Sequence, residues 1–223
     1  MYSARLFGIF SILSFIAYAI GIGLMDIIQN PIAKPSDIIE SKSTIVIGAI
    51  LIAIVHTLLN LGLLIIMFNV LKFNSKRLSI LYLALGSIAT LMLALGSVFL
   101  LLPIPIGEAY SQTNHFDASF FSTILQLATS GNFYLYQFGM AIWGCGGLTL
   151  CYLLHKSKLV PALFPILGSM GYAIFIVGCF LELFGIPYGV ALSISGGLFE
   201  IALSVWLIVK GFNEVAVFSN DND

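Results

Sequence analysis

Glu200 is the residue most at odds with its surroundings. It stands in an apolar run over 187–210. Lys210 follows it by about ten residues, so helical rise sets it about 15 Å from the nearer membrane edge. An acidic group at that depth costs at least about 2.5 kcal/mol and must face other helices. Ser193, Gly196, Gly197, Glu200 and Ser204 recur at helical spacing, and small residues of this kind let a neighbouring helix approach closely. Two readings stay open. Glu200 is a proton-linked or ligand-binding carboxyl, or a protonated or hydrogen-bonded group that fixes packing.

His56 and Asn60 stand at i and i+4 in the run 44–71, on a face continued by Ala49 and Ala53. Asn60 is about 12 residues from Lys72, or about 18 Å by helix rise, a depth that matches Glu200. The spacing predicts an intramembrane polar core of Glu200 and Asn60 in hydrogen-bond contact, with His56 one turn further out. His56 alone reads more readily as a satisfied structural histidine than as a working one. Asp26, Gln137 and Glu182 form a second set near the outer ends of their spans. They line an outer vestibule or are ordinary boundary residues.

Other chemistry finds no support. Haem calls for two axial histidines at one depth, but His115 falls in an external segment and His155 at the inner boundary. No His-Glu-x-x-His and no clustered thiols suggest zinc. Cys145, Cys151 and Cys179 fall inside apolar runs without redox spacing and read as small packing residues. Gly-x-Ser-x-Gly, Gly-Lys-Ser/Thr and a Ser-His-Asp set are missing. The sequence therefore predicts no catalytic residues, no metal and no cofactor, and an enzyme is the weakest of the functional classes.

The elements that must position these groups follow from composition. Hydrophobic residues make up 60% of the 223 residues and charged ones 9%, with a mean hydropathy of +1.07. Soluble domains are about 45–50% apolar and about 25% charged. A spanning helix needs about 20 mostly apolar residues. Six stretches qualify, about 5–28, 44–71, 78–103, 133–155, 160–184 and 187–210. Lipid offers an open backbone no hydrogen-bond partner, so each must be a helix. The predicted architecture is an all-α polytopic membrane protein with one six-helix domain over 1–212 and a polar cytoplasmic tail over 213–223. Arg5, an apolar run and Ala17-Tyr18-Ala19 resemble a signal peptide, but the apolar run continues through Met25 and favours a retained first helix.

Six spans place Arg5, Lys72, Lys76, Arg77, Lys156, Lys158 and Lys210 on one side, seven of the nine basic residues. Lys34 and Lys42 fall on the other. Positive charge is retained inside, which predicts both termini in the cytoplasm of a cell with its plasma membrane as host. Five spans would destroy the separation. The net charge of -1 argues against nucleic acid, which needs a basic patch. Membrane lipids are the implied partners, with a small molecule, a protein or a second copy of the chain left open.

Two features concern organisation. Residues 75–107 align with 157–189 without gaps, with 11 identities in 33 positions, among them Ser75-Lys76, Gly86-Ser87, Gly96, Pro105 and Gly107. Both segments run from inside to outside, so the relation is a parallel repeat of helical hairpins, with an axis along the membrane normal. Residues 116–130 place Phe120, Phe121, Ile124 and Leu125 or Leu127 near one side. They form an interfacial helix with Asp117 as its N-cap, or an extension of the fourth span.

The end of the chain carries a resemblance. Tyr152-Leu-Leu-His-Lys-Ser-Lys-Leu-Val-Pro161 and Phe199-Glu-Ile-Ala-Leu-Ser-Val-Trp-Leu-Ile-Val-Lys-Gly-Phe212 resemble an uncharacterised prokaryotic family of multi-pass membrane proteins, known only as a domain of unknown function. Pro161, Glu200, Trp206 and Lys210 match residue for residue, and Arg5-Leu-x-Gly8 and Val70-Leu-Lys72 also fit. The resemblance implies an Arg and a Glu in the third span of many members. Here that stretch, Ala84–Thr90, carries no charge, which leaves Glu200 without an ion-pair partner there. The resemblance implies an architecture and no activity. Two functions remain: handling of a small molecule, lipid or ion through the polar core, or a non-catalytic accessory or sensor role in which polar residues only fix packing.

Overall fold

A computed structural model describes residues 2–30, 33–111 and 118–213. Every regular element among them is a helix. Six helical stretches are long and apolar enough to cross a membrane: Tyr2–Leu24, Lys42–Leu71, Lys76–Tyr110, Ser119–Ser157, Leu163–Leu183 and Ala191–Val209. His115, Asp117 and nearly all of the polar tail lie outside the described residues.

Helix α1 spans Tyr2–Leu24. The short helices α2, Asp26–Gln29, and α3, Pro35–Glu40, follow it. Pro35 opens α3 in the first turn, where its missing N–H is no loss. Asp37 Oδ2 accepts the Lys34 backbone N–H at 3.0 Å, which caps the helix. The second span is not one regular helix. Helix α4, Lys42–Ile50, passes through a π-helical turn at Leu51–His56 into α5, Thr57–Leu71. The Thr57 hydroxyl donates to the Ile52 carbonyl, five residues back, at 3.3 Å.

Helix α6, Lys76–Phe99, stops short of the expected 103, and α7 covers Pro103–Ser111. Pro103 has no N–H to continue the α6 ladder and instead begins a new helix. The repeat partner of this region behaves differently, since Pro105 lies inside α7 while Pro187 lies in a turn. Helix α8 runs unbroken over Ala118–Ser157, 40 residues. Residues 118–130 thus extend the fourth span. Phe121, Leu125 and Ala128 are their buried stripe, whereas Phe120 and Leu127 are exposed.

Helices α9, Leu163–Leu183, and α10, Gly189–Val209, end on glycines. Gly185 has φ +77° and Gly211 φ +75°, the left-handed conformation that glycine adopts without a Cβ penalty. After α9 the Ile186 N–H donates to the Leu181 carbonyl and the Gly185 N–H to that of Glu182, both at 2.9 Å. This pair of bonds satisfies carbonyls left open at a helix end.

The residues gather into two compact units. One holds Met1–Ser14, Leu58–Thr90 and the chain from Gln137; the other holds Phe15–Thr57 and Leu91–Tyr136. The first has an apolar core that includes Phe7, Leu64, Met67, Tyr82, Leu153, Leu154, Tyr172 and Leu203. Asn213, beyond α10, donates to the carbonyls of Leu159 and Lys158 at 2.9 Å each, which fastens the end of the sixth span to the basic 158–161 loop. The second unit has a smaller core around Met25, Ile28, Ile38, Ile45, Leu100 and Phe121.

Candidate functional site

Within the first unit, Glu200 Oε1 receives two hydrogen bonds. Trp143 Nε1 of α8 donates at 2.6 Å, and the Tyr172 hydroxyl of α9 donates at 2.6 Å. The carboxyl therefore joins three helices. It faces its neighbours, as the cost of an acid in hydrocarbon demands, yet Glu200 as a whole is only half-buried. Among the described residues the ion pair is Lys42–Glu108, so both donors to Glu200 are neutral groups.

The local sequence explains why these side chains meet. Tyr172 is 2% exposed, and a Cβ on Gly147, one turn after Trp143, would run into its ring. Gly168 faces Phe199 and Cys151 in the same way. Phe199 meets Tyr172 edge-on, with ring centroids 5.6 Å apart, a favourable aromatic arrangement. Glycine on α8 and α9 makes room for the rings of Tyr172 and Phe199, and Tyr172 aims its hydroxyl at Glu200.

Further ties join α9 to α10. The Ser195 hydroxyl donates to the Gly171 carbonyl at 3.0 Å. Glu182 Oε1 accepts the Gly189 N–H at 2.8 Å, an anion-friendly position at the start of α10. Of the outer set, Glu182 thus has a defined local task. Gln137 is buried at 7% exposure, and Asp26, in the second unit, is exposed. Asn60 is buried on α5 in the same unit as Glu200.

His56 is buried in the second unit at the end of the π-helical turn. Its ring lies 5.2 Å from that of Tyr18, and Tyr18 lies 6.3 Å from Tyr136. Trp143, Tyr172 and Tyr18 were not among the residues singled out from sequence. The available signal was an aromatic with a polar tip placed away from both membrane edges, where that tip must find a partner.

Fold and site together define a class: a polytopic α-helical membrane protein with a hydrogen-bonded acidic residue in its last span. The family model described as DUF4386, a domain of unknown function, matches residues 5–211. The chain belongs to that family. No curated protein and no solved structure matches it.

Proposed function

We propose that the chain handles a small molecule, lipid or ion, or a proton with it, through a polar core in the bundle centred on Glu200. The observation behind this reading is the division of labour within one carboxyl. Oε1 is fixed by Trp143 and Tyr172, while Glu200 as a residue is half-buried. Such a carboxyl is held in place and still has an oxygen to offer a proton or a cationic group. Asn60, buried on α5 in the same unit, is the further member of this core. Gln137 and Glu182, in the same unit, would lie on the path towards it. In this reading the host is the plasma membrane and both termini are cytoplasmic. The side preference of seven of the nine basic residues supports the orientation.

A second reading has a specific observation in its favour. Glu182, Ser195 and Glu200 each bond across to another helix or its end, as residues that only fix packing would. Wild type, Glu200→Gln and Glu200→Leu separate the two when unfolded in detergent across about pH 5 to 8, because a group that exchanges protons in the working range makes stability pH-dependent. Handling through Glu200 predicts a pH dependence in wild type that Gln removes. A flat profile with Gln tolerated would overturn it in favour of packing. Leu leaves the donors of Trp143 and Tyr172 unmet, at a cost of up to about 1–3 kcal/mol for the buried Tyr172 hydroxyl, and should destabilise most in either case.

A further inference from the structure

We propose that a cleft between α2 and the first turns of α8 binds an uncharged, hydroxyl-rich group, the sugar or glycerol portion of a polyol ligand. The cleft has a volume of about 320 Å³ and is lined by Ile28, Gln29, Ser122, Leu125, Gln126 and Thr129. All six belong to the second unit. The volume sits at the small end of ligand pockets, which run about 300–1,000 Å³.

The lining selects the chemistry. Ser122, Leu125, Gln126 and Thr129 share one helix face at i, i+3, i+4 and i+7. The Ser122 hydroxyl donates to the Ser119 carbonyl at 2.8 Å. The Thr129 hydroxyl points its proton at the carbonyls of Leu125 and Gln126, each at 3.0 Å. Both hydroxyl protons are thus directed into the helix, and their lone pairs remain as acceptors. The exposed amides of Gln29 and Gln126 supply donors and acceptors together. Ile28 is fully buried and Leu125 is 3% exposed, which gives the cleft an apolar floor. None of the six side chains is ionisable. Among the described lining residues a charged headgroup would meet no counter-charge, and a bare acyl chain would cover polar groups without bonding them. A polyol matches, because its O–H groups serve the acceptors and its C–H faces cover the floor.

Helix length supplies the setting. Forty residues of α8 rise about 60 Å, against a hydrocarbon core of about 30 Å. Measured from Lys156, the core is crossed in about 20 residues, near Gln137. Ser122–Thr129 then lies in the headgroup layer or the water beyond it. The polyol can belong to a glycolipid headgroup or to a free sugar. This inference does not depend on the role of Glu200.

The full chain in a detergent without sugar groups is the material for the test. Methyl β-glucoside is the free probe, read by saturation-transfer NMR. Monoglucosyl diacylglycerol is the lipid probe, read by retention in native mass spectrometry against phosphatidylserine. Saturation transfer to the free glucoside assigns a free sugar; retention of the glucolipid alone assigns a headgroup; either supports the site. Gln126→Leu with Thr129→Val should reduce binding about fivefold, the equivalent of one hydrogen bond. Gln29→Leu, on the opposite wall, replaces that pair if it does not fold. Binding of neither probe, equal binding by wild type and variant, or preferential retention of phosphatidylserine would overturn the proposal.

Discussion

Helices α9 and α10 meet at glycine backbone and are tied by polar groups as well, whereas the close contact of α1 and α4 is at glycine backbone. In the first pair Glu182, Ser195 and Tyr172 each take part in a bond from one helix to the other. In the second, a Cβ on Gly48 would sit 2.6 Å from the Gly21 carbonyl oxygen, and one on Gly21 would sit 2.9 Å from that of Gly48. Lipid tails are as apolar as leucine, so burial in a membrane supplies little drive for helices to associate. The chain uses both remaining devices: hydrogen bonds together with close glycine packing between α9 and α10, and close glycine packing between α1 and α4. The lesson is that a polar residue in this protein need not mark a working site, since it has the same task that glycine has elsewhere.

Gly48→Ala should produce the largest effect. The colliding partner is a main-chain oxygen that no rotamer change can remove, and overpacking of this kind costs about 3 kcal/mol. Unfolding in detergent by heat or SDS measures it. An unchanged midpoint would mean that α1 and α4 separate easily, and the contrast between the two pairs would fail.

Glu182→Ala comes next. Loss of a side-chain acceptor at a helix start costs about 1 kcal/mol, and exchange of the Gly189 amide hydrogen should accelerate. A full loss of stability would make this bond the hinge of the pair. No change in either readout would free Glu182 for the vestibule role that its position suggests.

The legibility of the fold and of the site differ for the same physical reason. Six spans and the placement of Glu200 against other helices follow from solvent alone, since hydrocarbon permits little else. The partners of Glu200 do not follow. Asn60 and His56 stood out because amide and imidazole are plainly polar. Trp143 and Tyr172 were hidden because each counts as apolar bulk with a single polar atom at its tip. The π-helical turn at Leu51–His56 was illegible too, for it contains no proline or glycine and one extra residue per turn leaves no composition mark. The stop of α6 before Pro103, by contrast, had a visible cause. Nothing in the sequence pairs Gly21 with Gly48; only helix pairing reveals that each lies against the other.

The smallest effect belongs to the one pair that looks strongest on paper. Lys42 Nζ lies 2.6 Å from Glu108 Oε1, with side chains 50% and 41% exposed. It links the start of α4 to α7, near the place where α3 and α7 pack. Water solvates both groups in either state, and both long side chains lose freedom on pairing, so exposed pairs yield about 0.2–1 kcal/mol. Lys42→Ala should therefore shift the unfolding midpoint less than Glu182→Ala, even though it removes a full charge pair and Glu182→Ala removes a bond to a backbone amide. Salt sharpens the comparison. The Lys42 effect should shrink as ionic strength rises from about 0.01 to 1 M, where the screening length falls from about 30 to 3 Å. The effect of Glu182→Ala should change less, because the hydrogen bond it removes is made at contact and on a half-buried side chain. A Lys42→Ala loss that exceeds that of Glu182→Ala, or that persists in high salt, would show the pair to be desolvated and would reverse the ranking of the two units.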